Sequence, residues 1–217
     1  MEARLPQTPQ AKRQKLEAGK YPPIALEICC GHAGLSIALQ KRGWQVKPID
    51  WLGNEHKLGI PILHKDLTDQ KQVHQVIRML ERASYVHMAP PCGTASRARE
   101  RWVKTTDGRP CPRPLRSARY PLGLPFLREY EQAKVDSANK IYEAMALIMR
   151  ECHKRDIPFT TEKPKNSYFW CIPVITHDER DSDNRSRPAS MHVWGLKAQM
   201  DKVVHQQPCI QSARQGM

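Results

Sequence analysis

A cysteine directly follows two prolines in the stretch HMAPPCGTASRARERW, residues 87–102. Proline has no backbone N–H and a fixed φ, so Pro90 and Pro91 place Cys92 on stiff, irregular backbone just beyond a strand. Three arginines follow within nine residues, and positive charge favours the thiolate, which is the nucleophilic form of cysteine. A single cysteine is more often a buried structural residue, but this setting predicts a reactive thiol.

Glycines and carboxylates follow the ends of other short apolar segments. Gly31 and Gly34, in EICCGHAGLS, allow the backbone to approach a ligand and begin a helix there. Asp50 stands where dinucleotide-binding folds carry the acid that holds ribose hydroxyls, and Trp51 offers a flat face for adenine. Asp66 is a candidate acceptor for an adenine amino group. No glycine is followed by the lysine and hydroxyl residue of a phosphate-binding loop, so a nucleoside without a phosphate tail is expected.

A further carboxyl group, that of Glu162, ends the last clear strand pattern, IPFTTEKP. At that position it is a candidate acid working across the same pocket as Cys92. A thiolate, a carboxyl group and an adenosine-type site together suit methyl transfer to an unactivated pyrimidine carbon.

The elements that must position these residues follow from the periodicity of apolar residues. Five short segments have the pattern of strands: PPIALEICC, WQVKPID, IPILHKD, SYVHMAP and IPFTTEKP. Helical spacing appears in GHAGLSIALQKRG, in LTDQKQVHQVIRMLERA and over residues 131–155. In the last of these, one face carries Ala138, Ile141, Met145, Ile148 and Cys152.

Alternating strands and helices predict an α/β fold, a doubly wound, mostly parallel sheet of the Rossmann-like type with helices on both faces. In such sheets ligands bind beyond the carboxyl ends of the strands. We therefore expect one rim of the sheet to bring together Gly31, Asp50, Asp66, Cys92 and Glu162.

Composition and net charge indicate which kind of partner the protein binds and in which cellular compartment it is expected. The chain of 217 residues has a formal net charge of +13, which predicts an anionic partner, nucleic acid above all. No apolar run approaches the ~20 residues that cross a bilayer, and the polar N-terminus lacks a secretory signal, so a nuclear or other intracellular location is expected. The seven cysteines have no framework or C-x-x-C spacing, which argues for free thiols and against a metal site.

The chain is expected to form one domain with a tail. Residues 1–20 have the pattern of a flexible basic tail, in which KRQK resembles a nuclear localisation patch, and residues 21–217 are the predicted domain. Within it, residues 97–130 are expected to form a long basic loop, with eight arginines and one lysine against three acidic residues. SMHVW, near the C-terminus, is a candidate for one more strand.

These motifs resemble, in order and spacing, those of the DNA cytosine-5 methyltransferases, which use S-adenosylmethionine. The similar strings are LEICCGHAGLS, IDW, HKDLTD, APPCGTAS and TEKP, and they extend over residues 24–171, roughly two thirds of the chain. These strings are most similar to those of divergent, retroelement-borne members of that family. The resemblance implies a methyltransferase of the Rossmann-like type acting on DNA.

By this resemblance Cys92 attacks C6 of a cytosine flipped out of the duplex, and Glu162 hydrogen-bonds or protonates N3. The motifs imply that phosphates are held by the loop residues Arg97, Arg99 and Arg101. They also imply that the methyl donor is bordered by Glu27, Gly31, Gly34, Asp50, Trp51, Asp66 and Pro90.

Several positions depart from the family pattern. Ala33 replaces the middle glycine of the turn, Gly93 replaces the glutamine after the cysteine, and Lys163 replaces the asparagine after Glu162. The later Gln-x-Arg-x-Arg motif of the family is only weakly similar to DNRSR, which contains Arg185 and Arg187. Little chain remains for a separate target-recognition domain, so none is expected, and a protein partner is a candidate source of that surface.

Two alternatives stay open beside cytosine-5 methyl transfer. An adenine amino-methyltransferase is disfavoured, because its proline pair is flanked by Asp or Asn and an aromatic residue, whereas this chain has APPC. A catalytically decayed or truncated relative that binds nucleic acid without turnover is supported by Lys163 and the short C-terminus. The retained Cys92 and Glu162 argue against it.

Overall fold

The computed structural model describes residues 21–56, 59–100 and 112–176. Its strands are β1 (Ile24–Ile28), β2 (Gln45–Asp50), β3 (Leu63–His64), β4 (Tyr85–Met88) and β5 (Phe159–Thr161). Its α-helices are α1 (Gly34–Gln40), α2 (Gln70–Met79), α3 (Glu129–Lys154) and α4 (Pro173–Thr176). Short 3₁₀ turns cover Leu80–Arg82, Arg97–Glu100 and Tyr168–Cys171.

The five strands form one sheet in the order β3-β2-β1-β4-β5, and every pair is parallel. The chain runs outward from β1 to β3 and then returns to place β4 on the other side of β1. The order therefore reverses between β1 and β4, and the crevice outside the carboxyl ends of strands at such a reversal is the usual ligand site of open α/β sheets. The sheet agrees with the predicted α/β class.

Side chains alternate along each strand, so both faces of the sheet carry apolar side chains and helices pack on both. Leu26 and Ile28 of β1 belong to the main core, together with Val76 of α2 and buried residues of α3. On the opposite face Ala25 packs with Leu39 of α1 and with Tyr85. The expected buried face of α3 is confirmed at Ala138, Met145, Ile148 and Cys152, with Ile141 partly buried against it.

The third strand is shorter than its sequence pattern indicates. The expected strand IPILHKD pairs only at Leu63 and His64, beside β2 at the edge of the sheet. Pro61 has no N–H for a ladder, which limits pairing at the start of the segment. Arg101, the tail of residues 1–20 and the SMHVW segment lie outside the described residues. In the described part of the chain no helix is long and apolar enough to cross a membrane.

The core prediction concerns Ile148, which is fully buried on α3. Replacing Ile148 with Ala removes packed methyl groups and leaves a cavity, so the free energy of unfolding is expected to fall by about 2–5 kcal/mol. Urea denaturation measures the change. The matched variant Glu143→Ala, at an exposed position of the same helix, is expected to stay within about 0.5 kcal/mol of wild type. Equal losses in the two variants would contradict this assignment of the core.

Candidate active site at the carboxyl ends of the strands

The turn after β1 has an unusual backbone. Gly31 has φ +52°, and the non-glycine residues Cys29 and Ala33 on either side also have positive φ values, 57° and 54°. This left-handed region costs an L-residue roughly 1–2 kcal/mol, and strain of this kind persists only where the surroundings enforce it. Ala33 directly precedes α1, so the strained turn determines how the helix leaves the sheet.

Asp50, the last residue of β2, ties this turn to the neighbouring strand. Its Oδ2 accepts hydrogen bonds from the Gly31 backbone N–H at 2.9 Å and from the Asn54 side chain at 3.1 Å. Its Oδ1 accepts from the Trp51 backbone N–H at 2.8 Å. Two carboxylate oxygens offer about four acceptor sites, so one remains on Oδ1 for a further donor such as a ribose hydroxyl.

Two thiols beside this carboxylate are held protonated. Burial and the charge of Asp50 raise the pKa of Cys29 to about 12, and the same two causes raise the pKa of Cys30 to about 12. Neither thiol therefore supplies a thiolate at neutral pH. Cys92, in contrast, is exposed on the same rim.

Glu27 lies inside the sheet rather than at its rim. It is buried on β1, and its Oε2 accepts a hydrogen bond of 2.7 Å from the Ser36 N–H in the first turn of α1. It stands opposite His87 in the register of β1 and β4. Burial lowers the pKa of His87, while Glu27 and Glu162 oppose that shift. In this structure Glu27 anchors the helix that follows the strained turn.

The two residues expected against adenine are both exposed. Trp51 is 61% exposed, and its ring lies so close to Gly53 that an added Cβ there would clash with it. Asp66 follows β3, and its Oδ1 accepts from both the backbone N–H and the hydroxyl of Thr68, each at 2.8 Å. Asp66 thus shapes the turn into α2 in addition to any role at a ligand.

The loop that carries Cys92 is held by its carbonyl oxygens, since its prolines have no N–H to donate. The Pro91 carbonyl accepts two hydrogen bonds of 2.7 Å, from the Tyr142 hydroxyl of α3 and from the Lys163 ammonium after β5. The Cys92 carbonyl accepts from the N–H groups of Ala95 at 3.1 Å and Ser96 at 2.9 Å. Pro90 is buried at the base of this loop. The thiol is therefore exposed on a fixed mount.

Lys163 is a buried cation at the centre of this arrangement. Its ammonium lies 5.1 Å from the ring centroid of Tyr142 and 5.3 Å from that of Phe169. Burial lowers the pKa of Lys163 to about 8, and Coulomb attraction to Cys92 is the largest of the effects that oppose the shift. The ammonium is therefore within electrostatic reach of the Cys92 side chain.

A second buried cation, Arg116, holds the other side of the Cys92 loop. It is the largest fully buried side chain of the described residues, and its guanidinium donates to the Thr94 hydroxyl at 3.1 Å and to the Pro121 carbonyl at 2.6 Å. It also donates to the Asn139 side chain of α3 at 2.7 Å. Burial lowers the pKa of Arg116, but arginine stays charged at any physiological pH.

Glu162 stands at the end of β5, the strand beside β4. Its backbone N–H donates to the Met88 carbonyl at 2.8 Å, which continues the parallel pairing to the rim. The carboxylate is 77% exposed and lies 3.9 Å from His87 Nε2. Its charge also acts on Lys163, the next residue in the chain, and raises the pKa of that side chain. Cys92 and Glu162 thus border a shared buried cation.

The described arginines expected on phosphates have partners within the protein. Arg99 donates to the carbonyls of Arg113 at 2.9 Å and Gly93 at 3.2 Å. Arg97 forms an ion pair with Glu100 at 3.0 Å, and its side chain is 53% exposed. Arg101 lies outside the described residues. Arg99 therefore shapes the loop after Cys92, and Arg97 keeps an exposed face.

The predicted rim exists in this geometry. Its members end or follow parallel strands of one sheet, and hydrogen bonds link Gly31 to Asp50 and the β5 end to the β4 end. The glycine turn and the Cys92 loop flank the reversal between β1 and β4. Gly34 begins α1 directly after the strained turn. In the described ranges no group of three or more His, Cys, Asp or Glu residues is placed to hold a metal ion.

Sequence reasoning missed Tyr142 and the burial of Arg116. Tyr142 lies four residues after Ala138 on the apolar face of α3, so helical spacing could have identified it. Arg116 lies in an irregular basic segment with no period, and nothing in its type separates it from Arg113 or Arg119. Only packing distinguishes it.

Comparison with known proteins finds no match: no family model, no curated protein and no solved structure is similar to this chain.

The role of Lys163 is testable through the reactivity of Cys92. Replacing Lys163 with Met removes the neighbouring positive charge, so alkylation of Cys92 by iodoacetamide at pH 7 is expected to slow roughly two- to ten-fold. Peptide mass spectrometry measures the rate, with exposed Cys171 as the internal control whose rate stays unchanged. Above the Lys163 pKa of about 8 the difference is expected to vanish. A Cys92 rate that is the same in both proteins at pH 7 would contradict the role.

The same substitution predicts a change in stability with pH. The folded chain releases the Lys163 proton near pH 8, whereas the ordinary value of 10.5 applies when the chain is unfolded. Between these values the unfolded state binds more protons, so this group makes the folded state more stable as pH rises. The free energy of unfolding of wild type, measured relative to Lys163→Met, is expected to increase from pH 8 to 10.5. A constant difference would contradict the lowered pKa.

Proposed function

We propose that this protein transfers a methyl group from S-adenosylmethionine to C5 of cytosine in DNA through a covalent intermediate on Cys92. The observation that carries the proposal is the rim at the reversal of the sheet. There an exposed thiol on a clamped loop and a carboxyl group on the next strand flank one buried ammonium. That combination suits addition to an electron-poor pyrimidine ring.

The protein's residues supply most of the proposed steps. The Cys92 thiolate forms a bond to C6 of a cytosine that has left the base stack, while Glu162 donates a hydrogen bond or proton to N3, so that electron density moves to C5. After methylation of C5, water accepts the C5 proton and any proton on N3 returns to Glu162. Cleavage of the bond between sulfur and C6 then restores the aromatic ring and the thiolate. The Lys163 ammonium stabilises the thiolate before addition and after release.

The opposite part of the rim suits the methyl donor. Asp50 retains one acceptor site for a ribose hydroxyl, exposed Trp51 offers an aromatic face, and the turn at Gly31 allows close approach of the backbone. When bound, S-adenosylmethionine supplies an electrophilic methyl group. The strain at Cys29 and Ala33 fits a turn that is shaped for a ligand.

A second candidate function is nucleic-acid binding without turnover. It is favoured by Glu162, whose carboxylate is 77% exposed and lies 3.9 Å from His87. It is also favoured by Lys163, whose hydrogen bond goes to the loop backbone instead of to Glu162. Both functions require the basic surface, so catalysis is the property that separates them.

The test is covalent trapping by DNA that contains 5-fluorocytosine, in the presence of S-adenosylmethionine. Fluorine at C5 blocks the final elimination, so wild type is expected to form an adduct that survives denaturation. Cys92→Ser is expected to form none, because serine is a far weaker nucleophile. The matched control Cys171→Ser, at another exposed cysteine, is expected to form the adduct as wild type does.

Two other results would contradict different parts of the proposal. An adduct that persists in Cys92→Ser would remove the nucleophile assignment. Wild type that binds DNA but forms no adduct would favour the non-catalytic function. Gel electrophoresis under denaturing conditions detects the adduct, and electrophoresis under native conditions detects DNA binding without one.

A further inference from the structure

A group of four exposed apolar side chains falls within residues 120–130, the segment that leads into α3. We name it the aromatic surface, and its members are Tyr120, Leu122, Phe126 and Tyr130, which are 39%, 50%, 95% and 54% exposed. Large exposed apolar groups that cluster in a soluble domain commonly mark an interaction site. None of the proposed catalytic roles uses these residues.

Phe126 is the most unusual member. Its ring is almost entirely exposed, and its backbone has φ +69°, a region that bulky L-residues rarely adopt. Burial of the side chain does not compensate that strain. A conformation of this kind persists only when the surrounding structure enforces it, and such residues cluster at binding sites.

The segment that presents Phe126 is rigidly held. The buried Arg116 donates to the Pro121 carbonyl, and Asn139 of α3 donates to the Leu122 carbonyl at 2.9 Å. Gly123 packs so tightly on α3 that a Cβ there would lie 2.9 Å from Val135. These contacts fix the backbone at residues 121–123, so the segment that precedes Phe126 loses little conformational entropy when it meets a partner.

Cations lie beside two of the three rings, those of Tyr120 and Tyr130. The Arg119 guanidinium lies 5.5 Å from the Tyr120 ring centroid, and the Lys134 ammonium lies 5.5 Å from that of Tyr130. Arg128 donates to the Tyr130 hydroxyl at 3.3 Å. Between residues 117 and 134 the acidic residues are Glu129, which is exposed, and Glu131, which is buried and paired with Arg113. The exposed charge of this surface is therefore positive.

We propose that the aromatic surface binds a nucleic-acid strand, with unstacked bases lying on Phe126 and Tyr130 and phosphates beside Arg119 and Arg128. Aromatic platforms combined with cations are the means by which proteins bind single strands without reading sequence. Positive charge complements the phosphate backbone, and the chain as a whole carries +13. This inference deepens the proposed function, and it rests on nucleic acid being the substrate.

Arg116 connects the aromatic surface to the loop that carries Cys92. Arg116 bonds Thr94, two residues beyond Cys92, and also Pro121, within the aromatic surface segment. One buried guanidinium therefore holds both segments at a constant spacing. A strand on the aromatic surface would extend toward Cys92, where the nucleotides that flank a target base are also contacted while that base is out of the helix.

The test measures binding of the full chain to a fluorescent single-stranded oligonucleotide made only of thymidine, without methyl donor. This probe contains no cytosine, so Cys92 chemistry does not contribute. Phe126→Ala is expected to weaken binding roughly five- to a hundred-fold, which is the usual range for one stacked base. Alanine keeps the Cβ, so backbone strain is matched. Tyr21→Ala, at a 70% exposed tyrosine before β1, is the control and is expected to bind as wild type.

Two further variants separate stacking from general apolar contact. Phe126→Trp keeps an aromatic face and is expected to retain affinity, whereas Phe126→Leu is expected to bind as weakly as Phe126→Ala. The slope of log K against log salt concentration is expected to be unchanged in Phe126→Ala. It is expected to become shallower by about 1.4 units in the double variant Arg119→Gln, Arg128→Gln, since each lost phosphate contact removes roughly 0.7.

Three results would overturn the proposal. The first is that Phe126→Ala binds the oligonucleotide as tightly as wild type does, and the second is that Phe126→Leu does so. The third is that wild type self-associates and that Phe126→Ala converts it to a monomer with no loss of oligonucleotide binding. The last would assign the surface to a protein contact. If trapping fails while Phe126 still controls binding, the surface stands without catalysis. If trapping succeeds and Phe126→Ala binds normally, the catalytic proposal stands without this surface.

Discussion

The carbonyl oxygen of Pro91 is the point on which the candidate site depends. Two prolines before Cys92 remove the N–H groups that would tie this loop to its neighbours, so the loop has to be held as an acceptor. Tyr142 and Lys163 both donate to that oxygen, from a helix and from a strand end that lie far apart in the sequence. The thiol is thereby positioned by tertiary contacts instead of by a sheet ladder.

This solution places two cations in a protein interior. Lys163 and Arg116 lie 5.1 and 5.4 Å from the centroid of the same Tyr142 ring, and the charge of Arg116 further lowers the pKa of Lys163. Burying charges is unfavourable unless hydrogen bonds and ring faces compensate, and a hydrophobic residue would often give a more stable fold. The arrangement is understandable if Lys163 serves the proposed chemistry and Arg116 sets the spacing between the Cys92 loop and the segment at Pro121. Proteins commonly give up stability for function at such sites.

On the other half of the rim, at the turn after β1, buried or hydrogen-bonded carboxylates hold the backbone as the two cations do at the Cys92 loop. Asp50 holds the turn after β1 through Gly31, and buried Glu27 holds the start of α1 through Ser36. These carboxylates keep Cys29 and Ala33 in a left-handed backbone that neither residue prefers. Carboxylates thus shape the proposed donor side of the site and cations shape the thiol side, with the reversal between β1 and β4 separating them.

The sequence alone determined the elements and the side on which the rim lies. Apolar periodicity and glycine or proline breaks placed β1, β2, β4, β5 and the long helix α3 close to their observed bounds, because local pattern reports burial directly. Parallel pairing then required the strand-end residues to share an edge. Tertiary structure alone decided that Arg116 is buried while Arg119 is exposed, that Lys163 clamps Pro91, and that Phe126 is presented on strained backbone. These residues lie in irregular segments, where no period links residue type to environment and only long-range packing assigns each side chain its partners.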